Sequence, residues 1–499
     1  MMILSVSPVR FARYALATSA VWLLCIYPLL NYFAWDHLSS RARSSGSDFS
    51  QYYSGALAVR FGMKECLYPQ PNMSLYSAPP VFRPLVSTPL FNPTTDSSRM
   101  GNWAFYPQIA DPNASLVAPK LTAKCHELQD DYHYIYPPPL ALLLVPLSLL
   151  DYDTACRAVW FPLMCASLFG ISYYSSKICS LLFSKPTYIE GVSALLPAVP
   201  TWLMSGLGTT LYVGNVSPLI GFLIAIVAYS LATNRQTLIA CGIIPLILFK
   251  GIGLTWCPLL IMGGMKKKAI CLMVLLTLAL NALAVYMGGP GLYQTFFRDI
   301  LPKASIPLGI GIPGMLMRIL GVDAGVIPTI IKLGLLSTIY YYHHRACEKR
   351  FDRKLVTLTT IIATMAVFNL LNPVVWPHYF TCYLILPFAP WIIREIMISK
   401  GRTKVLLTVI MLTTVLGWLD SLFLVKESLL VGTLSRLNLY FPMVDLGRKT
   451  LSMISFYVIP NAVTVLILIL ALRRLMICSV NSPRETATDL GHNLGALES

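Results

Sequence analysis

Long apolar runs are the feature of this sequence that most constrains its fold. A helix needs about 20 apolar residues to cross the hydrocarbon core of a bilayer. Nine stretches approach this length, and three further ones are shorter or interrupted. The long ones are residues 14–33, 155–174, 216–231, 270–287, 324–341, 355–371, 379–393, 405–424 and 453–472, and the shorter ones are 135–150, 192–207 and 238–262. The pattern predicts an all-α polytopic membrane protein with about 11 to 13 crossings or re-entrant pieces.

The number and placement of charged residues favour a membrane protein and argue against a nucleic-acid-binding protein. Only 12% of the 499 residues are charged, against about 25% in a typical soluble domain. Such a chain cannot cover a water-facing surface. The net charge is +16, but the basic residues fall mostly in short loops between apolar runs. This placement follows the positive-inside rule, whereas nucleic-acid binding requires a basic soluble face.

The basic loops also predict the topology. We expect the clusters 266–268, 343–354, 394–404 and 473–474 to be cytoplasmic. The loops 36–133, 288–314, 372–379 and 420–449 then lie on the opposite side. From residue 266 onward this alternation closes, whereas between residues 135 and 266 the number of crossings stays open. Because residues 238–262 contain Pro245, Lys250 and Gly251 near their middle, we interpret them as a broken hairpin lining a cavity.

Residues 1–477 form the predicted membrane domain, and the polar tail 478–499 is predicted to be cytoplasmic and disordered. Residues 14–33 exceed the length of a signal-peptide core, which indicates an uncleaved first helix. The loop 36–133 is rich in Pro, Ser and Asn, so we expect no separate core there. Apolar residues at helical spacing within it predict an interfacial helix over residues 48–62.

The cysteines and the metal-binding motifs searched for give little indication of a reactive or metal-binding site. Most of the 12 cysteines lie in apolar segments, and Cys66 and Cys125 are the two in the loop 36–133. If that loop is extracytoplasmic they could form a disulfide, and two separate thiols explain the sequence equally well. No CxxC or HExxH motif occurs. We therefore predict no metal site and no cofactor, while a divalent metal remains open.

Two charged residues beside apolar segments are candidates for chemistry. Asp48 follows the first membrane helix and begins the predicted interfacial helix. Its spacing suits a helix N-cap, and it also suits a general base that reaches a membrane-embedded acceptor. Lys250 lies inside an apolar segment. A charge there usually has a functional reason, although a lysine can also extend to the cytoplasmic interface.

The order of several motifs resembles glycosyltransferase family 87. Asp-Phe-x-x-Tyr-Tyr-x-Gly-Ala, from Asp48 to Ala56, resembles the opening signature of that family. Weaker matching pieces follow in order at residues 134–138, 214–216, 249–251 and 372–379, so the resemblance runs from about residue 14 to 391. Three positions depart from the family pattern: Asn215 replaces a glutamine, Gly251 replaces a proline, and His378 stands where the family has two histidines.

That family comprises membrane mannosyltransferases of the C-type glycosyltransferase fold, which use polyprenyl-phosphate sugars. The resemblance implies that Asp48 is the catalytic base and that His378 lies in the same active site. The predicted topology places both on one membrane face. The substrate-binding candidates, taken from the motifs and from the need for a cation near phosphate, are Tyr52, Tyr53, Tyr136, Asn215, Lys250, Trp376, Arg298 and Lys303.

The expected reaction is transfer of mannose from a polyprenyl-phosphate donor to a lipid-linked or cell-envelope hydroxyl. We expect it to invert the sugar and to occur outside the cytoplasm, at a bacterial inner membrane. The alternative is a transporter or flippase of lipid-linked sugars. A transporter is expected to show internal repeats, and the sequence shows no convincing repeat.

Overall fold

The computed structural model describes residues 47–60, 67–68, 136–150, 154–182, 214–262, 265–301, 311–320, 325–373, 375, 379–398 and 459–480. Within these ranges 89% of the residues are helical and no strand occurs. The prediction of an all-α protein is therefore confirmed. The first apolar run, the run 405–424 and both cysteines of the loop 36–133 lie outside the described residues.

Thirteen α-helices fall within the described ranges. They are α1 Ser47–Arg60, α2 Pro138–Leu143, α3 Phe161–Leu182, α4 Ser217–Thr233, α5 Gln236–Lys250, α6 Cys257–Met262, α7 Lys267–Gly288, α8 Gly291–Thr295, α9 Ile312–Leu320, α10 Ile327–Glu348, α11 Arg353–Leu371, α12 Leu386–Ile398 and α13 Ile459–Val480. Short 3-10 or π-helical segments precede or join some of them, at Val145–Leu149, Ala155–Trp160, Ile252–Trp256, Phe296–Ile300 and Phe380–Ile385. Helix α1 lies close to the predicted span 48–62.

Four helices in the described part are long and apolar enough to cross a membrane: Ala158–Leu182, Lys267–Gly288, Arg353–Leu371 and Pro460–Val480. Two of them show the extremes of burial. Only 11% of the apolar window of α7 is buried, whereas 89% of the window of α11 is buried. An apolar surface as long as that of α7 is not stable against water. Helix α7 therefore faces lipid and α11 forms the interior, which confirms the membrane character of the protein.

Helix α11 is the centre of the described bundle and packs against α4, α10 and α13. Its threonines satisfy their hydroxyl groups internally. Thr359 donates to Leu355 O at 2.7 Å and Thr364 donates to Ile361 O at 2.8 Å. The indole nitrogens of Trp391 and Trp256 donate to the same two hydroxyl oxygens, at 3.1 and 3.0 Å. These paired polar groups fix the register of α11 in an apolar interior.

The segment after α5 folds back along that helix. Helix α5 ends at Lys250, and Gly251 has a left-handed φ of +67°. A Cβ on Gly253 would lie 2.9 Å from the carbonyl oxygen of Ile243, so the chain passes directly against α5. At the base, Lys266 N donates to Gln236 Oε1 at 3.1 Å. Residues 238–262 therefore form the predicted broken hairpin, with the break at Gly251 and with α5 continuous through Pro245.

The bundle has two chemically different ends. At the basic end, Arg394 and Arg474 bind Glu395, and His343 contacts Thr360 in the first half of α11. At the aromatic end lie Tyr52, Tyr136, Trp160, Lys250 and Tyr379, which contact one another through the pairs described below.

A buried ionic cluster joins α12 to α13 at the basic end. Glu395 is 4% exposed. It accepts hydrogen bonds from Arg394 Nη1 at 2.9 Å and from Arg474 Nη2 at 3.0 Å. One carboxylate thus holds two largely buried guanidinium groups, and their mutual repulsion is kept small by its charge.

We predict that Glu395→Gln lowers the stability of the detergent-solubilised protein by about 3–5 kcal/mol, because two buried cations lose their counter-charge. The control is Glu348→Gln, whose carboxylate is exposed and pairs with Arg345 at 3.0 Å; its loss should be below about 1 kcal/mol. Thermal unfolding followed by intrinsic fluorescence measures both. Equal melting temperatures for the two variants would contradict a structural role for the Glu395 cluster.

Candidate active site

Lys250 is the charged residue around which the aromatic end is organised. Its Nζ donates to the Tyr379 hydroxyl at 2.6 Å. The same nitrogen lies 4.5 Å from the ring centroid of Tyr136 and 4.8 Å from that of Tyr379. An ammonium over two phenol rings gains cation–π attraction of about 2 kcal/mol when it is desolvated. This partly offsets the cost of a charge in an apolar segment.

The hairpin determines how far Lys250 reaches into the bundle. Gln236 at the start of α5 contacts Lys266, and Lys250 is the last residue of the same 15-residue helix. At 1.5 Å per residue, the two ends of α5 lie about 22 Å apart. Lys250 therefore extends toward Tyr379 and not toward the interface occupied by Lys266. This geometry disfavours the interpretation of Lys250 as a lysine reaching the cytoplasmic surface.

Tyr136 connects Lys250 to the interfacial helix α1. The Tyr52 hydroxyl donates to the Tyr136 hydroxyl at 2.9 Å, and the two ring centroids are 5.0 Å apart. Tyr68 donates to the carbonyl oxygen of Tyr136 at 2.9 Å. Val216 N donates to the Tyr52 hydroxyl at 3.4 Å. Helix α1 is thus bound to the Lys250 environment through buried phenol groups.

The first turn of α1 is held by Trp160 and Gly214. Trp160 Nε1 donates to Gly214 O at 2.7 Å, and its ring lies 5.3 Å from Phe49 and 5.5 Å from Tyr52. Gly214 has φ +71°, and a Cβ there would lie 2.8 Å from Phe49 Cβ. Close backbone approach therefore requires glycine at this position. Asp48 is the second residue of α1, and it directly precedes Phe49, which this contact holds in place.

Asn215 organises the start of α4. Its Oδ1 accepts from Ser217 N at 2.8 Å and from Ser217 Oγ at 2.6 Å. Because the Ser217 hydroxyl proton is used in that bond, the Tyr383 hydroxyl is the donor in its 3.0 Å contact with Ser217 Oγ. Tyr383 stacks on Tyr379 with centroids 4.8 Å apart. Asn215 therefore supports the Tyr379 side of the site through two intermediate groups.

Of the predicted site residues, the structure brings Tyr52, Tyr136, Asn215 and Lys250 into one connected cluster. Tyr53 lies on a neighbouring face of α1, where its hydroxyl donates to Leu150 O at 2.7 Å. Arg298 is exposed and forms a 2.9 Å ion pair with Asp299. Donation to this carboxylate raises the pKa of Arg298, so the guanidinium stays charged.

Several predicted residues lie outside what the structure describes. They are the side chain of Asp48 and all of His378, Trp376, Lys303, Cys66 and Cys125. The chain neighbours of the two catalytic candidates are described, however. Phe49 follows Asp48, and Tyr379 follows His378. Both neighbours belong to the same aromatic end of the bundle.

The structure adds residues that the sequence analysis did not predict as site residues: Phe49, Tyr68, Trp160, Ser217, Tyr379 and Tyr383. Tyr379 stands in the motif at residues 372–379, so its position beside His378 was a usable signal. Trp160 lies within the apolar run 155–174 and resembles an ordinary core residue. Its role depends on a hydrogen bond to a residue 54 positions away, which no local pattern predicts.

This arrangement suits an anion better than a metal ion. The described residues contain no group of three or more His, Cys, Asp or Glu side chains placed to hold a metal. They do provide an ammonium and several phenol groups at one end of an apolar bundle. In such a setting a fixed cation interacts more strongly with a phosphate than it would in water.

Comparison with known proteins agrees with the motifs. Residues 134–373 match the model of glycosyltransferase family 87, which confirms the predicted resemblance. The matched segment contains Tyr136, Trp160, Gly214, Asn215 and Lys250. It starts after α1 and ends before His378. No curated protein and no solved structure matches the chain. The match covers just under half of the chain, so the protein is similar to this family over its central part.

Gly214→Ala tests the contact that fixes the first turn of α1. The added Cβ meets Phe49 at 2.8 Å and also requires a left-handed φ. We predict a loss of stability above the roughly 1–3 kcal/mol expected for the strained backbone alone. The control is Gly251→Ala, which has the same strain at φ +67° but no atom within 4 Å. Thermal unfolding compares them, and equal losses would contradict the proposed clash with Phe49.

Proposed function

We propose that this protein transfers a mannosyl group from a polyprenyl-phosphate donor to an acceptor hydroxyl at the extracytoplasmic membrane face. The observation that carries the proposal is Lys250. Its ammonium is held by Tyr379 and Tyr136 inside an apolar bundle, at the end where α1 begins. A half-buried cation of this kind suits the phosphate of a lipid-linked sugar. The family match supplies the reaction class.

The proposed reaction is a single displacement. Asp48 accepts the proton of the acceptor hydroxyl, and the resulting oxygen attacks the anomeric carbon of the donor sugar. The bond between that carbon and the phosphate oxygen breaks, and its electron pair leaves with the phosphate. The products are an inverted glycoside, a polyprenyl phosphate and a protonated Asp48. By analogy with inverting glycosidases, no covalent sugar–enzyme intermediate forms.

Lys250 is proposed to stabilise the departing phosphate. The donor is a phosphodiester with one negative charge, and the released monoester gains a second negative charge. An ammonium positioned before the reaction interacts more strongly with the transition state than with the donor. Tyr379 and Tyr136 restrict the position of Nζ through a 2.6 Å hydrogen bond and a ring face. No general acid is needed, because phosphate is already a good leaving group.

The described contacts support a common location for Asp48 and His378. Phe49 packs on Trp160, which bonds Gly214. Tyr52 bonds Tyr136 beneath Lys250. On the other side of Lys250, its partner Tyr379 directly follows His378. Asp48 is therefore adjacent in sequence to Phe49, which reaches Tyr52 and Tyr136 through Trp160. His378 is adjacent in sequence to Tyr379, which binds Lys250 directly.

The membrane environment supports a lipid donor and an outward-facing site. Helix α7 is mostly exposed and apolar, and its last residues, Met287 and Gly288, line a small cavity together with Ala58 of α1 and with Leu67. A prenyl chain in the bilayer can therefore approach the aromatic end without crossing water. If the basic end is cytoplasmic, as the positive-inside rule predicts, the aromatic end faces away from the cytoplasm.

Asp48→Asn tests the proposed base. We predict that transfer from radiolabelled polyprenyl-phosphate-mannose to a membrane lipid and glycan extract falls by about 10²–10⁴-fold, because the amide cannot accept the proton. The control Asp36→Asn should retain wild-type transfer. Purified variants in liposomes provide the measurement. Full transfer by Asp48→Asn would eliminate this mechanism, and movement of intact donor across the bilayer without sugar transfer would instead indicate a flippase.

Lys250→Gln tests the phosphate-binding cation. We predict a fall in kcat of about 10²–10³-fold, as for removal of a charge-stabilising donor in other enzymes, with partial recovery in Lys250→Arg. The matched control is Lys177→Gln. Lys177 also lies over a tyrosine ring, 5.3 Å from the centroid of Tyr173, but near the end of α3, away from the aromatic end. Equal activity of the Lys250 and Lys177 variants would rule out the proposed role of Lys250.

A further inference from the structure

Tyr383 is a fully buried tyrosine whose ring and hydroxyl group contact two different parts of the site. Its ring stacks on that of Tyr379, with centroids 4.8 Å apart and an interplanar angle of 17°. Its hydroxyl donates to Ser217 Oγ at 3.0 Å. The Tyr379 hydroxyl in turn accepts a hydrogen bond from Lys250 Nζ at 2.6 Å. Tyr383 therefore connects α4 to the residue that holds the proposed phosphate-binding cation.

We infer that Tyr383 is a positioning residue for sugar transfer. It fixes the plane of the Tyr379 ring, and thereby the direction in which the Tyr379 hydroxyl accepts the hydrogen bond from Lys250. Tyr383 acts through Tyr379 and does not touch the substrate. This inference rests on the proposed function, in which Lys250 stabilises the departing phosphate.

The backbone at this point brings the two rings into register. Tyr379 is followed directly by the π-helical segment Phe380–Ile385. An α-helix has 3.6 residues per turn, so side chains four positions apart diverge by about 40° around its axis. A π-helix bonds residue i to i+5 and has a wider turn, which places Tyr383 more nearly over Tyr379. Such wide turns occur frequently at functional sites.

The hydroxyl end of Tyr383 is fixed to a rigid part of α4. Ser217 is the first residue of this helix, and its Oγ donates to Asn215 Oδ1 at 2.6 Å. One turn later, a Cβ on Gly221 would overlap the carbonyl oxygen of Cys382. The backbone of α4 thus packs directly against the π-helical segment. Because neither backbone has room to follow the ring, a shift of Tyr383 has to break its bond to Ser217.

Packing alone does not explain a tyrosine at this position. Phenylalanine would fill nearly the same volume, and it would bring no polar group into the buried interior. The net gain in stability from a buried hydrogen bond is modest, because burial of the hydroxyl costs part of what the bond returns. What the hydroxyl adds is a direction, since it ties the ring to Ser217. We therefore expect its removal to affect catalysis more than stability.

Tyr383→Phe in the full-length protein in liposomes tests the inference. We expect kcat for transfer from polyprenyl-phosphate-mannose to fall about 10-fold or more, as misplacement of a catalytic group predicts, while KM for the donor and the melting temperature are retained. Ser217→Ala breaks the same hydrogen bond and should lower kcat to a similar extent. The matched control is Tyr340→Phe, which removes a hydroxyl that donates to Thr255 O from the half of α10 leading to the basic end; it should retain wild-type kcat.

A double variant shows whether Tyr383 acts through Tyr379. Tyr379→Phe removes the acceptor of the Lys250 hydrogen bond, so it should lower kcat at least as much as Tyr383→Phe does. The double variant should lose no more than Tyr379→Phe alone, because both changes disturb one chain of contacts. Additive losses, or an unchanged kcat in Tyr383→Phe, would overturn the inference.

Fluorine NMR of the protein with fluorotyrosine incorporated at position 379 tests the ring position separately from activity. The resonance should shift in Tyr383→Phe and in Ser217→Ala, and stay unchanged in Tyr340→Phe. Phenylalanine retains the stacked ring, so a shift reports a changed geometry and not a lost aromatic neighbour. An unshifted resonance in Tyr383→Phe would contradict the inference.

These measurements separate the inference from the proposed function. If the wild-type protein transfers no sugar, the proposed function fails, while the fluorine resonance still decides whether the Tyr383 hydroxyl fixes the Tyr379 ring. Should Tyr383→Phe fail to fold, Ser217→Ala provides the same comparison from the other side of the hydrogen bond.

Discussion

The aromatic end of this protein depends on placing one ammonium inside an apolar helical bundle. Lys250 is tolerable there because Tyr379 accepts a hydrogen bond from it and two phenol rings lie beside it. One ring, that of Tyr136, also binds Tyr52 of α1. The other, that of Tyr379, directly follows His378 and stacks on Tyr383, which contacts Ser217 of α4. The interactions that stabilise the charge therefore also assemble the site. A half-buried cation that is already oriented needs little reorganisation when a phosphate gains charge.

The rest of the bundle supplies a rigid frame for that cation. Helix α11 satisfies its threonine hydroxyls against its own carbonyl groups and against indole nitrogens of neighbouring segments. At the opposite end, Glu395 joins α12 to α13 through two buried arginines. Between these layers, the hairpin after Gly251 returns to its starting level, so α5 ends at the depth of the aromatic cluster. The hairpin thus determines the depth of Lys250, the threonine and indole contacts determine the register of α11, and the Glu395 cluster joins α12 to α13.

Much of this was predictable because membrane helices leave a strong local signal. Apolar runs predicted the helical spans, and the structure has helices at each run that it describes. Pro245, Lys250 and Gly251 predicted the broken hairpin, since a proline, a charge and a glycine rarely interrupt one spanning helix without cause. Motif order predicted the resemblance to glycosyltransferase family 87, which the match over residues 134–373 confirms. The catalytic roles of Asp48 and His378 stay predictions, as do the donor and the sugar.

What the sequence by itself determined is that this is a membrane protein, because its long apolar runs require a bilayer, whereas the orientation inferred from the basic loops stays a prediction. Only the tertiary structure decided which polar groups meet. Tyr52 bonds a residue 84 positions away, and Lys250 bonds one 129 positions away. Trp160 and Tyr383 reach their partners across different helices. Insertion depends on the apolar content of each segment alone, whereas these pairs depend on how helices pack, which no single segment encodes.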